Sequence, residues 1–238
     1  MEAAKIMIGY DPRETCAYHV CCESIIARSS MPVEFYPLAL PLLRTLYQER
    51  HGDGSNAFAY SRFLVPYLNG FQGHALYLDG DMVVKGDIAE LWAMRDYLKA
   101  VQVVQHDYKT KHPVKYFGAK NENYPRKNWS SVMLWNCSHF ANRRLTPEYV
   151  ASNSGAHLHR FRWLDDERIG PLPLTWNWLV GEYDENPDAK LLHYTLGTPC
   201  IEGFHDKDSA NACYVELDGA LNVAGQASGF LLTQLRNA

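Results

Sequence analysis

Two carboxylates two positions apart, Asp79 and Asp81, directly follow a short apolar run, Ala75–Leu78, which is typical of a buried strand. Burying two unpaired carboxylates beside a core costs free energy, so these two acids require a counter-charge. Carboxylate oxygens are hard ligands that suit Mg²⁺ or Mn²⁺, and an ion held by them can bind a diphosphate as a phosphate ester leaves. Gly80, between them, leaves room for another group to approach the backbone. The spacing therefore predicts a metal site that handles a phosphate ester.

An acidic turn at the surface is the alternative, because Asp-x-Asp is common by chance. The surrounding sequence favours the metal site. A second apolar run, Met82–Val84, follows the two acids, and Asp87 then precedes an apolar helix that contains Leu91 and Trp92.

The elements that would position these acids follow an α/β pattern. Ile6–Asp11 predicts a buried strand that ends in an acid, Pro12 begins a helix, and Val33–Leu38 predicts a second strand. This order indicates a β-α-β unit with a parallel sheet and a right-handed crossover. Ligands of open α/β sheets bind beyond the carboxyl ends of the strands, so Asp11 and the two acids of the Asp-Gly-Asp stretch can share one crevice.

The composition narrows the class of protein. The 238 residues are 47% hydrophobic and 21% charged, which is typical of a globular protein, and a net charge of −4 excludes a general nucleic-acid surface. We find no apolar stretch approaching the roughly 18 residues of a membrane span, and the first residues lead into a strand rather than a signal peptide. The six cysteines form no Cys-x-x-Cys pair. Reduced thiols, and hence a cytoplasmic location, are therefore expected.

The Asp-Gly-Asp stretch resembles the metal-binding segment of glycosyltransferases with a GT-A fold, and most of all that of glycosyltransferase family 8. Further segments resemble this family in its order, from about Lys5 to Pro199. They are the strand ending at Asp11, the helix with Tyr60-Ser61-Arg62, the strand with Ser130–Leu134, the acids Asp165 and Asp166, and the His193–Pro199 segment.

The resemblance implies a role for each matching residue. His193 would be the third metal ligand beside Asp79 and Asp81, and its imidazole nitrogen favours Mn²⁺ over Mg²⁺. Arg62 would lie near the diphosphate or the donor sugar. Asp165 and Asp166 would contact hydroxyls of the donor sugar near its anomeric carbon. The nucleotide would be bound by residues around the strand ends, with Asp11 near a uracil base: Gly9, Tyr10, Asp11, Gly80 and Gly197.

This chain also departs from the family pattern. Trp129 and Ser131 stand where the family has Asn and Gly, and Thr198 and Cys200 stand where it has Lys and Trp. The usual lysine beside the diphosphate is therefore missing. Three sources of a replacement stay open: Lys85, Lys207 and the lysines of the polar stretch Tyr108–Lys127.

The predicted fold is α/β, a single domain of GT-A type with a Rossmann-like mixed sheet flanked by helices. Residues 1–107 form its nucleotide-binding half and residues 108–204 its acceptor or closing half. Residues 205–238 form a tail, in which Tyr214–Leu217 predicts a strand and Phe230–Leu235 a helix.

The predicted activity is metal-dependent transfer of a sugar, with retention, from a nucleotide-sugar such as a UDP-sugar to a hydroxyl of a saccharide or other acceptor. Two alternatives stay open. A nucleotidyltransferase would carry a glycine-rich basic loop near its start, and Ile8–Arg13 offers a single glycine. A non-catalytic binder of nucleotide-sugars would be free to lose a metal ligand, yet all three are present.

Overall fold

The computed structural model of the protein describes residues 2–201. Its chain opens with β1 (Ala4–Gly9), a short 3-10 helix (Pro12–Glu14), α1 (Thr15–Ile26) and β2 (Val33–Leu38). β1 and β2 pair in parallel, with Ala4 opposite Val33, so the predicted β-α-β unit is confirmed. The strand and helix expected in the tail lie outside the described residues.

Nine strands form two sheets within the described residues. The larger sheet has the order β2-β1-β3-β6-β5-β7, in which β6 is antiparallel to both neighbours and the other pairs are parallel. The smaller sheet has the order β4-β9-β8. The strands after β2 are β3 (His74–Leu78), β4 (Met82–Val84), β5 (Val101–Val104), β6 (Val132–Asn136), β7 (Ile169–Leu172), β8 (Trp178–Leu179) and β9 (Leu191–His193).

The helices after α1 are short. They are α2 (Leu40–Leu43), α3 (Val65–Leu68), α4 (Ile88–Ala93), α5 (Pro147–Ser152) and α6 (Gly155–His159). A 3-10 helix at Ser61–Leu64 leads into α3 and carries Arg62. Within residues 2–201, no helix has both the length and the apolar character that crossing a bilayer requires.

The large sheet is buried on both faces, which confirms the predicted mixed sheet flanked by helices. Alternate residues of β3 separate into two clusters: Ala75 and Tyr77 pack with α3, α5 and α6, whereas Leu76 and Leu78 pack with α1 and α4. Strands from both predicted halves of the chain share this sheet. Because β1, β3, β5 and β7 run in the same direction, their carboxyl ends lie at one edge of the sheet. The acids of the Asp-Gly-Asp stretch follow β3 at this edge.

Candidate active site

The two sheets meet at the acidic pair. Asp79 follows the last residue of β3, and β4 begins directly after Asp81. β9 pairs antiparallel with β4, with His193 opposite Met82, and the Tyr194 N–H donates to the Asp81 carbonyl at 3.0 Å. His193 is thereby held beside both acids: its Nε2 lies 3.5 Å from Asp81 Oδ1 and 3.9 Å from Asp79 Oδ2.

The orientation of the His193 ring is fixed from behind. Its Nδ1 lies 2.9 Å from Asn177 Oδ1, and the Asn177 amide N–H donates to Ser131 Oγ at 2.8 Å. Because the amide oxygen only accepts, Nδ1 carries a proton, and Nε2 is the ring nitrogen that faces the carboxylates. The metal-ligating atoms of the three residues all lie within 4.8 Å of one another. Asn177 is thus a positioning residue behind the triad of Asp79, Asp81 and His193.

The chemistry of the triad fits a divalent cation. All three side chains are buried, and Asp81 Oδ1 has no hydrogen-bond partner within residues 2–201. Buried carboxylate oxygens without donors are costly unless a cation or water satisfies them. One imidazole nitrogen with carboxylate oxygens is a donor set that suits Mn²⁺ and also accepts Mg²⁺.

Arg62 is attached directly to this triad. Its guanidinium lies 2.8 Å from Asp79 Oδ1, which also accepts a 2.7 Å hydrogen bond from the Tyr77 hydroxyl. A second N–H contact, at 2.9 Å, goes to the Ser130 carbonyl, and the rings of Phe58 and Tyr77 flank the guanidinium. Burial raises the pKa of Asp79 even though Arg62 opposes the shift. Arg62 therefore lies beside the acidic pair. Its predicted contact with the diphosphate or the donor sugar stays a prediction.

A cavity of about 750 Å³ opens in front of the triad and Arg62. That volume is in the range of small-molecule sites. Its other walls come from the loop before α3, from the long segment between β5 and β6, and from α6. Lining residues from these walls include Ser55, Tyr60, Lys115, Tyr124, Ser130 and His159.

The three residues predicted at the end of β1 lie outside this cavity. A Cβ on Gly9 would lie 2.5 Å from the Phe58 ring, and the Tyr10 hydroxyl lies 3.1 Å from Thr15 Oγ1. Asp11 is buried, and each of its oxygens accepts two hydrogen bonds, from three Arg13 N–H groups and the Ala57 N–H. Burial would raise the pKa of Asp11, but these bonds outweigh it and hold the pKa below its ordinary value.

The Asp11 carboxylate thus links the loop after β1 to the loop before α3 by hydrogen bonds. Each oxygen of Asp11 accepts two hydrogen bonds within the chain, which leaves none of its four accepting positions for a ligand. The contact of Asp11 with a uracil base stays a prediction.

Both remaining predicted glycines have structural reasons to be glycine. A Cβ on Gly80 would lie 2.3 Å from the Gly9 carbonyl oxygen, so the group that approaches Gly80 is the backbone of β1. Gly197 has a φ of 145°, in the region that favours glycine, and its N–H donates to the Tyr194 carbonyl at 2.8 Å. A donor contact at these positions stays a prediction.

The structure does not bring Asp165 and Asp166 to the triad. Both precede β7, whose first residue pairs with the first residue of β5, at the edge of the sheet opposite to Asp79. Their side chains are about four-fifths exposed, and they pair with Arg168 at 3.2 Å and Arg126 at 2.5 Å. The predicted contact with the donor sugar therefore has no counterpart in this conformation, because the chain passes directly from the two acids into β7.

Sequence reasoning missed a side chain of α6 that faces the cavity. His159 lines the cavity, and its Nδ1 lies 2.7 Å from Ser130 Oγ. Burial, reinforced by nearby cations that include Arg62, lowers the pKa of His159 to about 3, so the ring is neutral. The spacing of His157 and His159 was a visible signal, but only the packing of α6 shows which of the two faces the cavity.

A buried carboxylate near the triad was also missed. Both oxygens of Glu14 are buried without a hydrogen-bond partner among residues 2–201. Burial and the nearby carboxylate of Asp81 raise the pKa of Glu14 to about 8. Glu14 lies in the short helix before α1, where the sequence offered no pattern that predicts a buried acid.

The mixed sheet, the acidic pair between β3 and β4 and the histidine on β9 together define a glycosyltransferase of GT-A type. A model of the family described as glycosyl transferase family 8 matches residues 15–197, and this chain belongs to that family.

The chain is also similar to three known proteins. The chain is 44% identical over 222 residues to Protein CDI of Arabidopsis thaliana, covering 90% of this chain and 86% of the relative. It superposes on the apo structure of the bifunctional glycosyltransferase WbbM with a TM-score of 0.68 at 14% identity, covering 99% of this chain and 51% of WbbM. It superposes on the galactosyltransferase LgtC, in complex with donor and acceptor sugar analogs, with a TM-score of 0.56 at 12% identity. That match covers 97% of this chain and 99% of LgtC, and at these identities both structures show the fold.

Proposed function

We propose that this glycosyltransferase moves a sugar from a nucleotide-sugar, with UDP as the expected nucleotide, to a hydroxyl of a saccharide or other acceptor. The observation that carries the proposal is the buried triad of Asp79, Asp81 and His193 at one wall of a cavity large enough for donor and acceptor. LgtC, which shares the fold, binds donor and acceptor sugar analogs, and this is consistent with the proposal.

In this proposal the triad holds Mn²⁺ or Mg²⁺. A divalent ion there supplies positive charge to the diphosphate leaving group. Asp79 and Asp81 offer carboxylate oxygens, and Asn177 keeps the His193 Nε2 lone pair directed at the same point. Arg62, locked against Asp79, adds a fixed cation at the cavity wall without reorganising during the reaction.

We further propose that the anomeric configuration is retained. An inverting reaction needs a carboxylate base beside the acceptor, on the opposite face of the sugar from the leaving group. Within residues 2–201, the carboxylates that line the cavity are Asp53, Asp79, Asp81 and Glu122. Asp53 accepts a hydrogen bond from the Tyr60 hydroxyl, and Glu122 is exposed beside Lys120. The other two carboxylates belong to the triad, so none of the four is placed as a base for inversion. This supports front-side attack, in which the leaving diphosphate accepts the acceptor proton.

The catalytic roles first predicted for Asp165 and Asp166 are not part of this mechanism, since both lie outside the cavity. A double displacement with one of them as nucleophile remains the rival retaining route and would require the segment before β7 to move.

No observation within residues 2–201 favours the two alternatives, a nucleotidyltransferase or a non-catalytic binder of nucleotide-sugars. A nucleotidyltransferase would use the loop after β1 for phosphates, but Asp11 and Arg13 pair with each other there at 2.6 Å. A non-catalytic binder would fail to turn over its ligand, and an assay of nucleotide-sugar cleavage measures this directly.

The test is a panel of nucleotide-sugars incubated with the purified protein and Mn²⁺, with release of the nucleoside diphosphate as the readout. We expect a UDP-sugar to be cleaved fastest, with loss of activity in EDTA and in Asp81→Ala. NMR of the first-formed product of transfer should show the anomeric configuration of the donor. Equal activity of Asp81→Ala and the parent, or an inverted product, would contradict the corresponding part of the proposal.

A cytoplasmic location is proposed as well. No disulfide joins the five cysteines within residues 2–201, which is consistent with a reducing compartment. Fractionation of cells that express the tagged protein is the direct measurement.

A further inference from the structure

We propose that Lys115 binds the diphosphate of the donor and takes the place of the lysine that is missing beside Pro199. This inference rests on the proposed function, because it assigns a residue to the diphosphate of the nucleotide-sugar. The side chain comes from the long segment between β5 and β6, not from the segment that follows His193.

The first argument is position. Lys115 lines the same cavity as Asp79, Asp81 and Arg62, and its side chain is partly buried. Its ammonium has a hydroxyl neighbour, Ser55 Oγ at 3.3 Å, and forms no ion pair with a carboxylate of residues 2–201. A partly buried ammonium without a paired anion carries a desolvation cost, so it would stabilise a ligand anion in the cavity.

The second argument is the charge balance of the site. The two acids of the triad and Arg62 leave one net negative charge, and a divalent ion turns this into one net positive charge. A nucleoside diphosphate brings two to three negative charges and makes the occupied site negative again. Lys115 is a cation of the cavity wall that offsets part of this excess, and of all charges around it the two carboxylates Asp81 and Asp79 act on it most strongly.

Among residues 2–201, the other candidate lysines have partners of their own or lie outside the cavity lining. Lys127 Nζ bonds Asn121 Oδ1 at 2.5 Å and the Glu122 carbonyl at 2.8 Å. Lys120 is about 85% exposed and faces Glu122 at 4.0 Å. Lys85 is exposed at the end of β4 and lies outside the cavity lining, and Lys207 lies outside the described residues.

The backbone around Lys115 is held in place by the metal-binding segment itself. The Lys115 N–H donates to the Ala119 carbonyl at 2.9 Å, closing a short turn. The next N–H, of Tyr116, donates to the Leu196 carbonyl at 2.8 Å, three residues after His193. A fixed backbone lowers the entropy that Lys115 must lose when it binds the diphosphate.

The experiment is calorimetry of UDP and UMP binding in Mn²⁺ for the parent and for Lys115→Gln, Lys115→Arg and Lys109→Gln. Lys109 is the matched control, since it is an exposed lysine of the same segment outside the cavity lining. We expect Lys115→Gln to weaken UDP binding at least tenfold while UMP binding changes less than about threefold. Lys115→Arg should recover most of the loss, and Lys109→Gln should match the parent.

The outcomes separate this inference from the proposed function. If the parent binds no nucleoside diphosphate with Mn²⁺, both are overturned. If the parent binds UDP and Lys115→Gln binds it equally well, only the role of Lys115 is overturned. An equal loss of UDP and UMP affinity also contradicts it, because a diphosphate contact must discriminate between the two. Tighter binding of Mn²⁺ alone by Lys115→Gln, with UDP affinity unchanged, would show that Lys115 is only a counter-charge for the acids.

Discussion

A single amide determines which nitrogen His193 offers to the metal site. We expect Asn177→Leu to lower Mn²⁺ affinity about 10- to 100-fold, because the imidazole loses the acceptor that fixes its tautomer and orientation. Titration of Mn²⁺ by electron paramagnetic resonance, with UDP present, measures this. Asn177→Asp keeps an oxygen opposite Nδ1 and should retain affinity. Unchanged affinity in the leucine variant would mean that β9 alone orients the ring.

The exposed acids before β7 give a second prediction for individual residues. We expect Asp165→Asn and Asp166→Asn to change the transfer rate by less than about threefold, because their partners are surface arginines and exposed ion pairs contribute little. The rate with the preferred donor is the measurement. A loss of all transfer, restored by azide with inverted product, would establish the double displacement instead.

Individual site residues were predictable where a local pattern coincided with a strand end. Asp79, Asp81 and His193 each adjoin or end a buried strand, so their convergence follows from the sheet. Asp11 also follows a strand, but its pairing with Arg13 depends on the conformation of the next loop. The orientation of His159 depends on the packing of α6, which has no local signature in the sequence.

Between elements, the tightest packing in the site is the contact of β1 with the Asp-Gly-Asp turn. Gly80→Ala should destabilise the fold by about 1–3 kcal/mol, because its Cβ would lie 2.3 Å from the rigid Gly9 carbonyl oxygen. Urea unfolding in EDTA measures the change without a metal contribution. Gly52→Ala is the matched control, since nothing lies within 4 Å of its Cβ, and it should change stability by less than about 0.5 kcal/mol. Equal effects of the two substitutions would contradict this account.

The elements themselves were largely predictable, with one consequential exception. The predicted strand at Val33–Leu38 was confirmed, since its hydrophobic pattern is local. The cap of α5 is equally local, because the Thr146 side chain accepts a hydrogen bond from the Tyr149 N–H. The acids at Asp165 and Asp166 resemble a family segment in composition. In the structure their 3-10 helix runs straight into β7, so the register of β7 with β5 decides which edge of the sheet they reach.

For the whole molecule, buried ionisable groups set the pH range of stability. Burial, with His193 adding to it, lowers the pKa of His106 from 6.5 to about 3, and the pKa of His159 falls in the same direction. Below pH 6.5 the unfolded chain binds protons that the folded chain does not. The free energy of unfolding should therefore fall as the pH drops from 6.5 towards 3. His106 alone should contribute up to about 1.4 kcal/mol per pH unit.

Glu14 acts at the opposite end of the range. Its pKa is raised from 4.5 to about 8, chiefly by burial, so the folded chain keeps a proton that the unfolded chain loses. Its contribution is fully present below pH 4.5 and is lost as the pH rises through about 8. Together with the two histidines, this predicts a maximum of stability near pH 6.5 for the metal-free protein.

Urea unfolding in EDTA between pH 4 and 9, followed by tryptophan fluorescence, tests both limbs of this profile. His106→Gln should flatten the acid limb, because the unfolded variant no longer takes up that proton, although the loss of the bond to the Tyr183 hydroxyl lowers stability at every pH. Glu14→Gln keeps the shape of the side chain and removes its titration, so the decline above pH 6.5 should disappear. A profile that is level from pH 4.5 to 8 in the parent would show that these groups titrate alike in the folded and unfolded chains. Adding Mn²⁺ should raise the alkaline limb, since positive charge near Asp81 favours the ionised form of Glu14.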